Sequence, residues 1–276
     1  MKVVLFCGGL GLRLREYSHE LPKPMVPIGG VPVLLHVMQY YAHFGHTDFV
    51  LALGYKGDVI ERYFFERGAE PLSSQPQRGE DGLEWSRAAF GDWTVTFAHT
   101  GSDVNIGGRL LRVRSLVDQE EIFLANYSDD LTDAPLNDLI AEFRQQEGVV
   151  GSFLSVKPNL SLHAVSTDGA GRVTDIVSVR DAGIRVNGGY FIFRRSIFDV
   201  LFPGEELVEE PFARLMENGA LMAHDHQGFW GPLDTLKDHQ VLEDLELDGR
   251  SPWKLWLTTG NRPATEDIAF VPGRAE

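Results

Sequence analysis

The chain has 276 residues, 43% of them hydrophobic and 24% charged, a globular composition with enough apolar residues for a substantial core. Its formal net charge of −15 argues against nucleic acid as a partner, because phosphate backbones are bound through clustered Lys and Arg; small phosphorylated substrates stay open, since local cations and backbone N–H groups can hold them and acidic side chains can hold a metal ion. The one cysteine, Cys7, allows no intrachain disulfide and reads as a small buried residue, and no segment is long and apolar enough to span a bilayer, so the expected compartment is the cytoplasm.

Val3 to Cys7 is a short apolar run ended by glycine, the pattern of a strand buried on both faces. The turn Gly8-Gly9-Leu10-Gly11 follows. Pro32 opens a helix over 33–44 with Leu34, Leu35, Met38 and Tyr41 at helical spacing, and Gly45 ends it. Residues 48–53 predict a second buried strand and 58–66 a second helix. This alternation predicts the α/β class with a doubly wound parallel sheet. Residues 73–82 read as a surface loop, 93–98 as a strand, 107–117 as a helix, and 122–126 as a buried strand ending at Tyr127-Ser128-Asp129-Asp130. An amphipathic helix covers 136–147. From Val149 strands predominate, over 149–156, 163–167, 173–179 and 189–193, with a hairpin turn at 168–171. Helices over 209–218 and 235–247 follow. We read one continuous domain, with a loose tail from Thr258.

Glycines at 8, 9 and 11 let a backbone approach a phosphate closely and aim N–H groups at it, and Arg13 adds a cationic fork; an ordinary tight turn is the alternative. The Walker pattern is absent, and Leu14 stands where a dinucleotide fingerprint needs Gly or Ala. Pro22 and Pro24 stiffen the loop that presents Lys23, read as a second phosphate ligand rather than a plain surface lysine. Asp129 ends a buried strand, where ligands bind in open α/β sheets, and is the candidate for Mg²⁺; Asp130 and Asp133 read as helix caps, with a further metal ligand as the alternative for Asp130. Asp234 is either a cap for the next helix or a second carboxylate for the same metal. His224 and His226 lack a third ligand, so zinc is not expected.

Together these residues resemble the sugar-1-phosphate nucleotidyltransferases, above all the cytidylyltransferases among them. The resemblance spans roughly 1–256. It rests on the segments 8–14 and 23–30, Gly54-Tyr55-Lys56-Gly57, Gly107-Gly108-Arg109-Leu110, Asn187-Gly188-Gly189, Glu210-Pro211, 228–235 and Pro252-Trp253-Lys254. It implies a Rossmann-like, mixed, mainly parallel sheet with a smaller acceptor-side β region. The single domain would cover 1–256, with a nucleotide half over 1–148, a sugar-phosphate half over 149–256 and a tail over 257–276. Mg²⁺ would be the cofactor, a nucleoside triphosphate (CTP favoured) and a sugar 1-phosphate the partners, with no nucleic acid or membrane, and a homo-oligomer the assembly. By resemblance Gly8, Gly9, Gly11 and Arg13 cradle the triphosphate, Lys23 neutralises the α-phosphate, and Asp129 and Asp234 bind the metal. Gly108 and Arg109 lie on the nucleotide side, while Asn187 and Gly188 line the sugar pocket.

Three departures stand out. Leu12 replaces a usual Thr, and Ser128-Asp129-Asp130 replaces Gly-Asp-Gly. The Glu-Lys pair expected before Asn187 is missing from Ile176-Val177-Ser178-Val179-Arg180. A cation lost from a phosphate site needs a substitute, for which Arg180 and Arg185 are the candidates, and an acceptor other than glucose 1-phosphate is open. Transfer from UTP, dTTP or GTP, a cyclitol or modified-sugar acceptor, and a silent sugar-nucleotide-binding protein on the same fold are the other readings.

Overall fold

The computed structural model describes residues 1–9, 21–79, 81–159 and 161–258. Strand β1 (Lys2–Cys7) is apolar throughout because both of its faces are covered: Val3, Leu5 and Cys7 join one core, Val4 and Phe6 the other. After it come a one-turn helix at Lys23–Met25, the short strands β2 (Pro27–Ile28) and β3 (Val31–Pro32), helix α1 (Val33–His43), β4 (Asp48–Leu53) and α2 (Gly57–Glu66). Then follow β5 (Glu70–Pro71), β6 (Gln77–Arg78), β7 (Glu84–Phe90), β8 (Trp93–His99), α3 (Ile106–Arg112), α4 (Arg114–Val117), β9 (Ile122–Asn126), β10 (Asp130–Thr132) and α5 (Leu136–Gln145). The rest comprises β11 (Gly151–Val156), β12 (His163–Thr167), β13 (Val173–Ser178), β14 (Val186–Arg194), α6 (Glu210–Glu217), β15 (Leu221–Asp225), β16 (Trp230–Pro232), α7 (Leu236–Leu247) and α8 (Leu255–Thr258).

The main sheet runs β15-β11-β14-β9-β1-β4-β8-β7-β5, with β6 also on β7. Its centre, β9 to β8, is parallel; β14 runs antiparallel between β9 and β11, and β7 antiparallel beside β8. Helices cover both faces. Met38, Phe64 and Phe143 pack on one side, Leu110, Val117 and Phe212 on the other. This is the expected mixed α/β architecture, with small two-stranded sheets β10–β16, β12–β13 and β2–β3 beside it.

Several local expectations need correction. Strand β7 was not predicted: at the sheet margin its residues are mostly half-buried, so the apolar alternation is blurred. Asp130 and Asp133 cap no helix. Asp130 opens β10, paired to Pro232, and α5 starts after Pro135 with no side-chain cap. Thr235, not Asp234, caps α7, in a reciprocal capping box with Asp238. The tail boundary at 257 falls inside α8, and residues 259–276 lie outside the described residues.

Candidate active site

The carboxyl ends of β1, β4, β8 and β9 meet on one edge of the sheet, the edge where open α/β sheets bind ligands. Gly8 and Gly9 follow β1 there; Gly11 and Arg13 lie outside the described residues. Beneath this edge sits Arg109, only 2% exposed. Its Nη1 donates to Leu53 O (3.3 Å), Thr100 Oγ1 (2.7 Å) and Gly101 O (2.8 Å), and its Nη2 to Gly8 O (3.2 Å) and Ser102 O (3.3 Å). A Cβ on Gly8 would stand 1.9 Å from Arg109 Cζ, and one on Gly54 2.5 Å from Nη1. Gly8 is thus required for a guanidinium to pass under the turn. Arg109, expected on the nucleotide side, has its donors engaged by Thr100 and by the backbone that ends three strands. Gly108 sits in the first turn of α3, its N–H donating to Asn105 Oδ1 at 2.8 Å.

At the end of β9, Ser128 adopts φ +68°, a left-handed conformation costly for a residue with a Cβ. Two hydrogen bonds hold it: Ser128 N to Asn126 Oδ1 (2.6 Å) and Ser128 Oγ to Phe6 O (2.8 Å). The turn aims Asp129 at Lys23. Lys23 Nζ lies 2.7 Å from Asp129 Oδ2 and 2.5 Å from Asp234 Oδ1. Asp234 follows β16, which pairs with β10 and is tied further by Leu233 N donating to Asp129 O at 3.0 Å. Helix α7 secures the loop after Lys23: Glu243 Oε1 accepts from Gly29 N at 3.0 Å, and His239 Nε2 donates to Pro27 O at 3.0 Å. Residues 23, 129 and 234, remote in sequence, therefore converge.

Burial opposes the charge on Lys23, yet Asp129 and Asp234 outweigh it and the pKa is raised. Burial pushes Asp129 up, against the pull of Lys23 and with Asp234 adding to the rise. Burial, then the charge of Asp129, pushes the neighbouring Asp130 well up. One ammonium thus faces the Asp129 and Asp234 carboxylates, with the Asp130 carboxyl beside them. Among the described residues no three or more His, Cys, Asp or Glu side chains gather closely enough to hold a metal by themselves. Two carboxylates with hard oxygens, completed by phosphate oxygens and water, are nevertheless the donor set that suits Mg²⁺, and the excess negative charge fits a divalent cation.

A cavity of about 460 Å³ opens over this clamp, lined among others by Gly9, Lys23, Asp129, Asp234, Asn187 and Trp230. Asn187 Nδ2 donates to Tyr127 Oη at 3.1 Å, and its Oδ1 accepts from Gly189 N at 3.0 Å. Gly188 is buried and acts through its backbone, its O accepting from Trp230 Nε1 at 3.0 Å.

The two cations expected to replace the missing lysine have different surroundings. Arg185 Nε donates to Ser155 Oγ (2.7 Å) and Nη2 to His226 O (2.8 Å), and the side chain pairs with Asp225 at 2.8 Å. Arg180 is exposed and lines a smaller cavity of about 210 Å³ with Lys157, which shares Pro158, Asn159 and Trp230 with the main one. Cys7 is buried as expected, its thiol pushed up to about 12 by burial. His224 pairs with Glu142 and His226 with Asp133, consistent with structural roles. Sequence reasoning missed Tyr127 and Trp230 as cavity walls, although both sit inside the segments that supply Asp129 and Asp234.

A mixed, doubly covered sheet carries a lysine clamped between two aspartates at the carboxyl edge of its parallel strands. The chain belongs to the nucleotidyl transferase family, whose pattern it matches over residues 2–261, and is a nucleotidyltransferase enzyme. It is 36% identical over 258 residues to a glucose-1-phosphate cytidylyltransferase of Salmonella typhi, covering 93% of this chain and 100% of that one. It is 28% identical to a mannose-1-phosphate guanyltransferase of Kluyveromyces lactis, covering 92% of this chain and 68% of the relative. UTP-bound UGPase from Acinetobacter baumannii shares the fold, with a TM-score of 0.64 at 16% identity over 95% of this chain and 99% of that one. No helix among the described residues is long and apolar enough to cross a membrane.

Proposed function

We propose that the protein transfers a nucleotidyl group, CMP from CTP, to a sugar 1-phosphate in a magnesium-dependent reaction that releases pyrophosphate. The observation that carries this is Lys23 Nζ held within 2.7 Å of both Asp129 and Asp234 beside the Gly9 turn. The similarity to cytidylyltransferases over nearly the whole chain supports the choice of CTP.

In this reading Asp129 and Asp234 would hold Mg²⁺, which when bound supplies charge neutralisation and orientation at the phosphates. An oxygen of the sugar phosphate attacks the α-phosphorus in line; the new P–O bond forms as the bond to the β-phosphate breaks, and pyrophosphate leaves with the electron pair. The nucleophile is anionic near neutral pH, so no general base is required. Lys23 contributes a fixed cation where negative charge is concentrated, and the closed clamp positions the groups. Arg109 keeps the strand ends in register beneath them.

The test is pyrophosphate release from Mg²⁺, each nucleoside triphosphate and a panel of sugar 1-phosphates. Release with CTP alone is expected. Release with UTP, dTTP or GTP instead would move the base assignment, and binding without release in every pairing would mark a silent relative.

A further inference from the structure

Asp130 occupies a position where the resemblance expects glycine, and the role read from sequence, a helix cap, is not the one it has. It opens β10 with its backbone paired to Pro232 and its O accepting from Tyr190 Oη at 2.6 Å. The residue is 7% exposed and lines the main cavity. No described residue donates a hydrogen bond to its carboxylate or forms an ion pair with it; Lys23 is engaged by Asp129 and Asp234 instead. The carboxylate lies against Gly189, where a Cβ would stand 2.3 Å from Asp130 Oδ2. It therefore belongs to the Asn187 side of the cavity, apart from the two oxygens that contact Lys23.

With no described residue donating to it, the Asp130 carboxyl is open to hydrogen bonds from a ligand in the cavity. The neighbouring groups limit what the ligand can be. Tyr127 Oη accepts from Asn187 and so has its own proton to donate. Trp230 adds an aromatic wall, its Nε1 already engaged by Gly188 O. A strong acceptor, a phenolic donor and an aromatic face suit a ring that carries hydroxyls on one side and C–H groups on the other.

We propose that Asp130 is a specificity-determining residue that accepts hydrogen bonds from hydroxyl groups of the acceptor's sugar ring. The proposal rests on the reading of the protein as a sugar-1-phosphate nucleotidyltransferase and assigns that reading a residue for sugar choice.

The test is calorimetric titration of the wild-type chain and of Asp130→Asn and Asp130→Gly, with circular dichroism to verify folding of each. The ligands are glucose, galactose and mannose 1-phosphates, the monodeoxy analogues of whichever binds tightest, glucosamine 1-phosphate, and inorganic phosphate. In the wild type, one monodeoxy analogue should bind roughly 3- to 10-fold more weakly than its parent, the range for an ordinary hydrogen bond. That difference should vanish in Asp130→Gly and shrink at most in Asp130→Asn, whose amide oxygen still accepts, while affinity for inorganic phosphate does not fall. An unchanged deoxy penalty in both variants would overturn the proposal. So would an equal gain in affinity for phosphate and sugar phosphates, which marks plain repulsion, or dependence on Asp130 for glucosamine 1-phosphate alone, which marks an ammonium site. Titration needs no turnover, so absence of pyrophosphate release would count against the proposed reaction and leave this result readable.

Discussion

The two walls of the cavity are built on different terms. On the Lys23 side, groups far apart in the chain satisfy one another: Asp129 and Asp234 close on one ammonium, α7 ties down the loop behind it, and Arg109 binds the strand ends below. On the Asn187 side, Arg185 is bound to Ser155 and Asp225, Arg180 lines a side cavity, and no described residue donates to the Asp130 carboxyl. A wall whose polar groups satisfy each other holds its geometry before any ligand arrives; a wall with an unmet acceptor is completed by its ligand. The first arrangement suits a step common to a family, the second suits a choice among substrates.

Substitutions can break this contrast. Lys23→Ala removes the shared cation and should lower pyrophosphate release by about 10²- to 10³-fold, the loss typical of removing one charge-stabilising group, whereas Asn187→Ala should act mainly on the KM of the acceptor. Equal effects on both substrates in both variants would erase the distinction between the walls.

Arg109→Leu should leave folding, not chemistry, as the first casualty. The carbonyls of Gly8, Gly101 and Ser102 would lose this donor, at about 1–3 kcal/mol for each that stays buried and unpaired, while Leu53 O keeps Thr100 N and Oγ1. A clear fall in Tm is expected; an unchanged Tm would mean that the brace is dispensable.

Acid should loosen the support behind Lys23. His36 is buried; its Nε2 donates to Ile28 O at 3.0 Å and its Nδ1 accepts from Trp253 Nε1 at 3.3 Å. Burial pulls its pKa down to about 4 from an ordinary 6.5. Between those values the unfolded chain binds a proton that the folded one refuses. The stability is therefore present above pH 6.5 and lost as pH falls towards about 4, at about 1.4 kcal/mol per pH unit for this proton. Thermal melts across that window should show the slope in the wild type and a shallower one in His36→Leu. The smallest effect belongs to Ser128→Gly: relief of the φ +68° backbone and loss of the bond to Phe6 O should cancel to within about 1 kcal/mol.

Much of this was legible from residue pattern. The central strands show themselves as apolar runs such as Val3 to Cys7 because both faces are buried, and the prolines around Lys23 announce a stiff loop. What stayed hidden depends on tertiary contact. Strand β7 carries a half-exposed mixed pattern. Asp130 and Asp133 have the chemistry of caps, and only the pairing of β10 with β16 shows that they are not. The glycine at position 8 suggests phosphate approach, but the nearest object to its missing side chain is Arg109, a hundred residues away. Arg13 and Gly11, read from the sequence as phosphate ligands, lie outside the described residues.

The most direct measurement of the central claim compares wild type and Asp129→Ala for pyrophosphate release from CTP and sugar 1-phosphate across a Mg²⁺ titration, with circular dichroism on both. The clamp predicts folded Asp129→Ala protein with turnover reduced at least about 10³-fold at every Mg²⁺ concentration, as expected when a metal ligand at the transferred phosphate is lost. Near-normal turnover at saturating Mg²⁺ by the folded variant would contradict it.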